Sequence, residues 1–309
     1  MSVRIDKITR GRFGNKVFQY NNLVQLANNL GVEPSCSPWE GNIFFKNIIP
    51  YKKSDRNKKI IYWNEILDKN NEEIKEMLKT HDLLLDDPSY ALHNTFYKLT
   101  NKDPRCYLEL KDKYKKTTFS ENDTIVGIHI RGGDILGRDG QDGREIHTPY
   151  YYKNAINYLL NNVENKIDGK DYLFIICTDD PNFDSVKETI EYLKQKGCKY
   201  SLGPNFGTLN YIQDFSVLCY SDILINSSST FCIAAAFIGK KNKKVIHSKD
   251  WMDRILKGDF SNDEYKKYVK VWTNKMTDIE WRTTKGYSKA KIFWIELEKN
   301  YYFNIINII

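Results

Sequence analysis

Apolar positions recur along this chain with two different spacings. Residues 3–8 read as a first strand, and "RGRFGN" turns from it into a helix near 15–30. Val17, Tyr20, Val24 and Leu30 form a rough apolar face on that helix, and Gly31 is a natural stop. A second helical pattern covers 64–79, with Ile66, Ile74, Met77 and Leu78 on one side. Between about 80 and 120 the pattern is weak, and the polar run "KDKYKKTTFSEND" (111–123) reads as a linker. Beyond it the alternation is clear. "TIVGIHI" (124–130), "YLFIIC" (172–177), "DILIN" (222–226) and "KVIHS" (244–248) are short, β-rich apolar runs. Helical patterns separate them: "YYYKNAINYLLNN" (150–162), "DSVKETIEYLKQKG" (184–197), "YIQDFSVLCY" (211–220) and "STFCIAAAFIG" (229–239). Strands alternating with helices predict an α/β fold with a parallel, doubly wound sheet. No internal repeat is visible.

Composition narrows this only a little. The 309 residues suffice for two domains, and 41% hydrophobic with 14% aromatic residues can fill their cores. No apolar stretch is long enough to span a bilayer, and the charged start "MSVRIDKITRGRFGN" carries no hydrophobic signal core. Six scattered cysteines without a C-x-x-C pair read as reduced thiols in a cytoplasmic protein with no structural zinc. The net charge of +7 comes partly from lysine clusters at 51–59, 111–116 and 240–244, which read as solvated loops and helix ends. Without a nucleic-acid-binding motif beside them, they suit an anionic small ligand or peripheral contact with an anionic membrane surface.

Candidate chemistry collects at strand ends, where ligands bind in open α/β sheets. His129, Arg131, Gly132, Gly133 and Asp134 leave the strand at 124–130; "TDDP" (178–181) leaves that at 172–177; "NSSST" (226–230) leaves that at 222–226 and opens a helix. Each has a plainer explanation: a glycine turn with Arg131 paired to Asp134, a helix cap, a capping run. Three at one edge of one sheet favour a ligand. Arg131 and the start of the "NSSST" helix would hold a diphosphate, and Asp179 or Asp180 would accept from a base such as guanine or from ribose. There is no G-x-x-x-x-G-K-[ST] or G-x-G-x-x-G loop, no D-x-D pair for a metal-bound nucleotide sugar and no G-x-S-x-G elbow.

At these residues the chain resembles the GDP-fucose-dependent fucosyltransferases. "GRFGNKVFQY" (11–20) is similar to the opening of the α1,2 enzymes of glycosyltransferase family 11 and to the "GRFGNQ" of protein O-fucosyltransferases. "HIRGGD" (129–134) keeps the His-x-Arg strand end shared by α1,2, α1,6 and protein O-fucosyltransferases, but has Gly132 where the α1,2 pattern has a second arginine. "SDILINSSSTFCIAAAFIG" (221–239) resembles the α1,2 segment, with Phe231 and Cys232 replacing paired tryptophans, and "TDDP" matches the α1,6 enzymes.

The resemblance implies a GT-B-like architecture of two Rossmann-like domains facing a cleft, 1–120 on the acceptor side and 121–309 binding the nucleotide sugar. It implies inverting, metal-independent transfer of fucose from GDP-fucose to a glycan hydroxyl, α1,2-linked to galactose, with no other cofactor. Donor-binding residues would be Arg12, His129, Arg131, Asp179, Asp180, Ser228, Ser229 and Thr230. Arg131, Asn15 and Asp134 would carry catalysis. Asp134, Asp139, Asp142, Glu145 and His147 are equal candidates for a base, and the sequence does not choose among them. Two alternatives stay open: transfer from another nucleotide sugar or onto a protein, and a non-catalytic nucleotide- or glycan-binding protein.

Overall fold

The computed structural model describes residues 1–8, 11–62, 65–66, 69–86, 103–115, 121–132, 149–162, 167–204, 211–227, 229–240, 243–248 and 304–308. The chain divides into two compact units, Met1–Lys113 and Tyr114–Ile309.

The first unit is built on four parallel strands, β1 (Ser2–Ile5), β2 (Glu33–Cys36), β3 (Lys58–Tyr62) and β4 (Asp82–Asp86), in the order β2-β1-β4-β3. β1 leads to helix α1 (Phe13–Leu30), which is buried on nearly every side. Its polar Asn21 and Gln25 tolerate this because Tyr107 bridges them: the phenol donates to Asn21 Oδ1 and accepts from Gln25 Nε2, each at 2.5 Å. Gly31, at φ 68°, ends the helix in the left-handed conformation expected of it. A short helix α2 (Gly41–Phe44) follows, and the next long one, α3, spans Asn71–Thr80. α3 starts later than the expected residue 64 because Asn70 and Glu73 form a capping box, each side chain bonded to the other's backbone N–H. The lysine cluster at 51–59 is not all loop, since Lys58 and Lys59 open β3. Within the expected linker, Asp112–Lys115 forms a helical turn, α4.

In the second unit six parallel strands stand in the order β10-β9-β8-β5-β6-β7. They are β5 (Asp123–Ile130), β6 (Asp171–Thr178), β7 (Lys199–Leu202), β8 (Ile223–Ile225), β9 (Lys244–Ser248) and β10 (Asn304–Ile308). The helices are α5 (Pro149–Asn161), α6 (Asp184–Gln195), α7 (Ile212–Tyr220) and α8 (Thr230–Ile238). Val126, Ile128 and Ile130 of β5, Phe174 and Ile176 of β6, and Ile223 and Ile225 of β8 form one core with Tyr152, Ile156 and Leu159 of α5 and Val186 and Leu193 of α6. The winding runs from β5 to β6 and β7, then returns to place β8 on the other side of β5. The strand order therefore reverses between β5 and β8, and two crossovers diverge there and leave a crevice at the carboxyl ends.

Gly239 closes α8 for a reason other than handedness. Its φ is −82°, but a Cβ there would lie 2.2 Å from the Cys219 carbonyl oxygen. The third lysine cluster also departs from expectation. Lys243 is fully buried and its Nζ donates to the carbonyls of Leu218 and Cys219 (2.8 Å to the latter) and to Ser221 Oγ (3.3 Å), satisfying the C-terminal end of α7.

Lys243→Met leaves those carbonyls without a donor and is expected to cost about 2–3 kcal/mol in urea unfolding. Burial lowers the Lys243 pKa from 10.5 to about 8. Between these values the unfolded chain holds the extra proton, so this group's contribution to stability rises with pH and is lost as pH falls through about 8. The gap between wild type and Lys243→Met therefore widens from pH 7.5 to 9.5, which paired unfolding curves will show.

Candidate active site

His129 and Arg131 stand where β5 ends, beside the reversal of strand order. His129 is buried, and its Nδ1 lies 2.5 Å from Ser227 Oγ, across the boundary between β5 and β8. Its carbonyl accepts from Tyr152 Oη of α5 at 3.3 Å, and its ring packs on Phe231 with centroids 5.3 Å apart. Phe231 is in turn held edge-on by Phe215 and Tyr211. Thus the aromatic residue that replaces one of the expected tryptophans supports the histidine. Arg131, two residues after His129 and just past the end of β5, is half-buried.

Gly132 sits against the turn that follows β6. A Cβ on it would come within 2.9 Å of Asp180 Cβ and 3.2 Å of Phe183 Cβ. The Gly132 N–H donates to Asp179 Oδ1 at 2.9 Å, joining the two strand ends. Close approach explains the missing second arginine: a side chain at 132 requires the 178–183 turn to move. Asp180 accepts from Asn182 N–H at 2.9 Å, and its own N–H donates to Thr178 Oγ1 at 3.1 Å. "TDDP" is therefore a hydrogen-bonded turn as well as a pair of carboxylates. Each carboxylate has capacity for several donors, so one local bond does not exhaust it.

From β8, Asn226 is pinned on both sides. Its N–H donates to the Ile246 carbonyl at 2.7 Å and its carbonyl accepts from Tyr151 Oη at 2.8 Å. Ser229 is the N-cap of α8, its Oγ accepting from Phe231 N–H at 3.3 Å, and Thr230 is the first helical residue. The first turn of α8 contains no acidic side chain, so no carboxylate of that turn offsets the positive end of its dipole.

In the first unit, Gly11 has φ 74°, and a Cβ there would fall 2.1 Å from Asn15 Nδ2. Glycine is thus required twice, by handedness and by the Asn15 amide lying against it. Arg12 is the exposed N-cap residue of α1 in extended conformation, and Asn15 occupies the first turn. Among the expected site residues, Asp134 and Ser228 lie outside the described residues, as do the base candidates Asp139, Asp142, Glu145 and His147.

Two further polar residues are buried at this edge: Ser227, inside the "NSSST" run but not among the expected donor contacts, is 2% exposed, and Asp214 on α7, which the sequence reading passed over, is 5% exposed. A Cβ on Gly203, just after β7, would lie 2.7 Å from Asp214 Oδ1, which puts that carboxylate beside the sheet's carboxyl edge. A lone acid in the otherwise uncharged helix "YIQDFSVLCY" was the available signal. Among the described residues, no cluster of three or more His, Cys, Asp or Glu side chains could hold a metal ion, and no helix is long and apolar enough to cross a membrane.

The family model of glycosyl transferase family 11 matches residues 3–275. The chain belongs to that family. Its motifs at 11–20, 129–134 and 221–239 are those that carried the resemblance, and the protein is a glycosyltransferase. The fold is also similar to that of POFUT1 in complex with GDP-fucose, at 12% identity and a TM-score of 0.52, over 80% of this chain and 97% of that one. NodZ α-1,6-fucosyltransferase co-crystallized with GDP aligns at 11% identity and a TM-score of 0.45, over 81% of this chain and 96% of that one. A variant of Arabidopsis thaliana FUT1 in complex with GDP aligns at 11% identity and a TM-score of 0.49, over 77% and 68%. Among curated proteins, no sequence matches the chain. The fold of this family 11 member is α/β and GT-B-like, with a parallel sheet in each unit.

Proposed function

We propose that this family 11 member transfers fucose from GDP-fucose to a hydroxyl of a glycan acceptor, with inversion, without a metal, and to O2 of galactose. The observation that carries the donor reading is the juxtaposition at the β5–β8 reversal. There a buried histidine packs on the start of α8, and an arginine leaves the same strand, at the position where α/β sheets take nucleotides. Family membership and the GDP-fucose bound in the similar POFUT1 structure support it.

In this reading Arg131 binds the β-phosphate, and Ser228, Ser229 and Thr230 with the N-terminus of α8 cradle the diphosphate. His129 contacts phosphate or ribose, and a carboxylate at the edge, Asp179 or Asp180, accepts from guanine. Arginine and helix dipole stabilise the charge that develops on the leaving GDP, the part a divalent cation plays elsewhere. The first unit is the acceptor side, Arg12 reaches the donor from it, Asn15 acts in catalysis at donor phosphate or acceptor, and Asp134 assists at the acceptor hydroxyl. Gly132 separates this chain from the α1,2 arginine pattern, so the linkage rests on the family and the motif at 11–20.

GDP and GDP-fucose should raise the melting temperature while ADP and UDP leave it unchanged. Ligand at ~100 times its Kd adds about 2.7 kcal/mol to unfolding. Equal shifts with UDP would remove the guanine claim. Transfer should persist in EDTA, and NMR of the product from a β-galactoside should place α-fucose on O2. Loss of transfer in EDTA with recovery on adding manganese would overturn the metal-free part.

A further inference from the structure

Ser227 touches no part of the donor in the reading above, yet its hydroxyl is held on the ring of His129. Both side chains are buried, and the 2.5 Å contact joins residues 98 apart in sequence. Each partner is fixed independently. The Ser227 carbonyl accepts from Ser229 N–H at 2.6 Å as α8 begins, and the neighbouring Asn226 is tied to β9 and Tyr151. His129 is fixed by Tyr152 at its carbonyl and by Phe231 on its ring face.

A neutral imidazole has one donor and one acceptor nitrogen, and the group at one of them decides the role of the other. If Ser227 accepted from Nδ1–H, Nε2 would present a lone pair, which repels the oxygens of a diphosphate. If Ser227 donates to Nδ1, the ring proton sits on Nε2 and His129 offers a donor. At the same edge the Arg131 guanidinium and the positive end of the α8 dipole also favour an anion, and the carboxylates Asp179 and Asp180 stand at the end of the neighbouring β6.

We propose that Ser227 is a positioning residue that donates its hydroxyl proton to His129 Nδ1, holding the ring in the Nε2–H tautomer and aiming that N–H at the donor's phosphate or ribose oxygens. The aim at a nucleotide rests on the reading of His129 given above; the control of the tautomer does not.

The test uses the full chain labelled with ¹⁵N-histidine, with the His129 signals assigned by their loss in His129→Ala. Wild type should show a single Nε2–H tautomer at His129, Ser227→Ala a mixture, and Ser227→Thr, which keeps the hydroxyl, the wild-type pattern. By calorimetry, Ser227→Ala should bind GDP about tenfold more weakly, the worth of one buried hydrogen bond. Ser227→Thr should stay near wild type. On a His129→Ala background, Ser227→Ala should cost nothing further, because the serine acts only through the ring. An unchanged tautomer in Ser227→Ala, or an equal loss of affinity without His129, would overturn the proposal. If the tautomer responds while wild type binds no GDP, the nucleotide reading fails and positioning by Ser227 stands.

Discussion

Arg131→Ala is expected to lower turnover by about two to three orders of magnitude while leaving the protein folded. Removing one preorganised donor at developing charge costs about 3–4 kcal/mol of transition-state stabilisation. As the glycosidic bond of the donor breaks, charge grows on the β-phosphate, and a group that meets it acts more strongly in the transition state than in the ground state. Its loss therefore appears chiefly in kcat and only weakly in the KM for GDP-fucose. Arg131→Lys should recover little, because a point charge does not reproduce the planar, two-pronged grip of guanidinium. Arg131 is half-buried at the end of a strand whose core residues, Val126, Ile128 and Ile130, lie before it. Steady-state rates measured beside melting curves separate catalysis from folding, and near-wild-type turnover in a folded Arg131→Ala would take the phosphate away from this strand end.

Gly132→Arg restores the residue of the α1,2 pattern and should nonetheless impair the enzyme. The new Cβ meets Asp180 and Phe183 at 2.9 and 3.2 Å, so the turn after β6 must retreat. Overpacking of this kind costs about 1–3 kcal/mol. Retreat also breaks the 2.9 Å bond from Gly132 N–H to Asp179, which couples the ends of β5 and β6. With the adjacent Arg131 displaced by even 1 Å, a loss on the order of a hundredfold in activity follows. Gly132→Ala should show the same effects in milder form. A Gly132→Arg enzyme with full activity and an unchanged melting temperature would mean that the turn has room which the close approach to Asp180 denies.

The second unit was largely legible because β5, β6 and β8 are buried on both faces. β5, β6, β8 and β9 read as continuous apolar runs, and the helices between them keep a helical period. β7, with Lys199 and Leu202 exposed, carries no such run. In the first unit β2 is "EPSC", a strand with two inward residues, and β3 begins with two exposed lysines, so neither rises above loop composition. Long-range pairing makes them strands, and no local pattern encodes it.

At the site, His129, Arg131 and the start of α8 were visible as polar residues ending apolar strands. The Ser227–His129 contact was not, since it depends on which strands become neighbours. Lys243 misled for a related reason: in "KKNKK" nothing marks the one lysine that folds inward onto the end of α7. Asp179 was legible as a carboxylate at a strand end, but its bond to Gly132 appears only once β5 and β6 stand side by side.

Hydrogen exchange of the full chain with and without GDP tests most directly whether the nucleotide sits at the carboxyl ends of β5 and β8, where the strand order reverses. The account predicts added protection in peptides covering 128–132 and 226–233, at the strand ends and the first turn of α8, and the loss of that protection in a His129→Ala, Arg131→Ala double variant. Protection confined to other segments, or saturating GDP that protects neither of these, would contradict it.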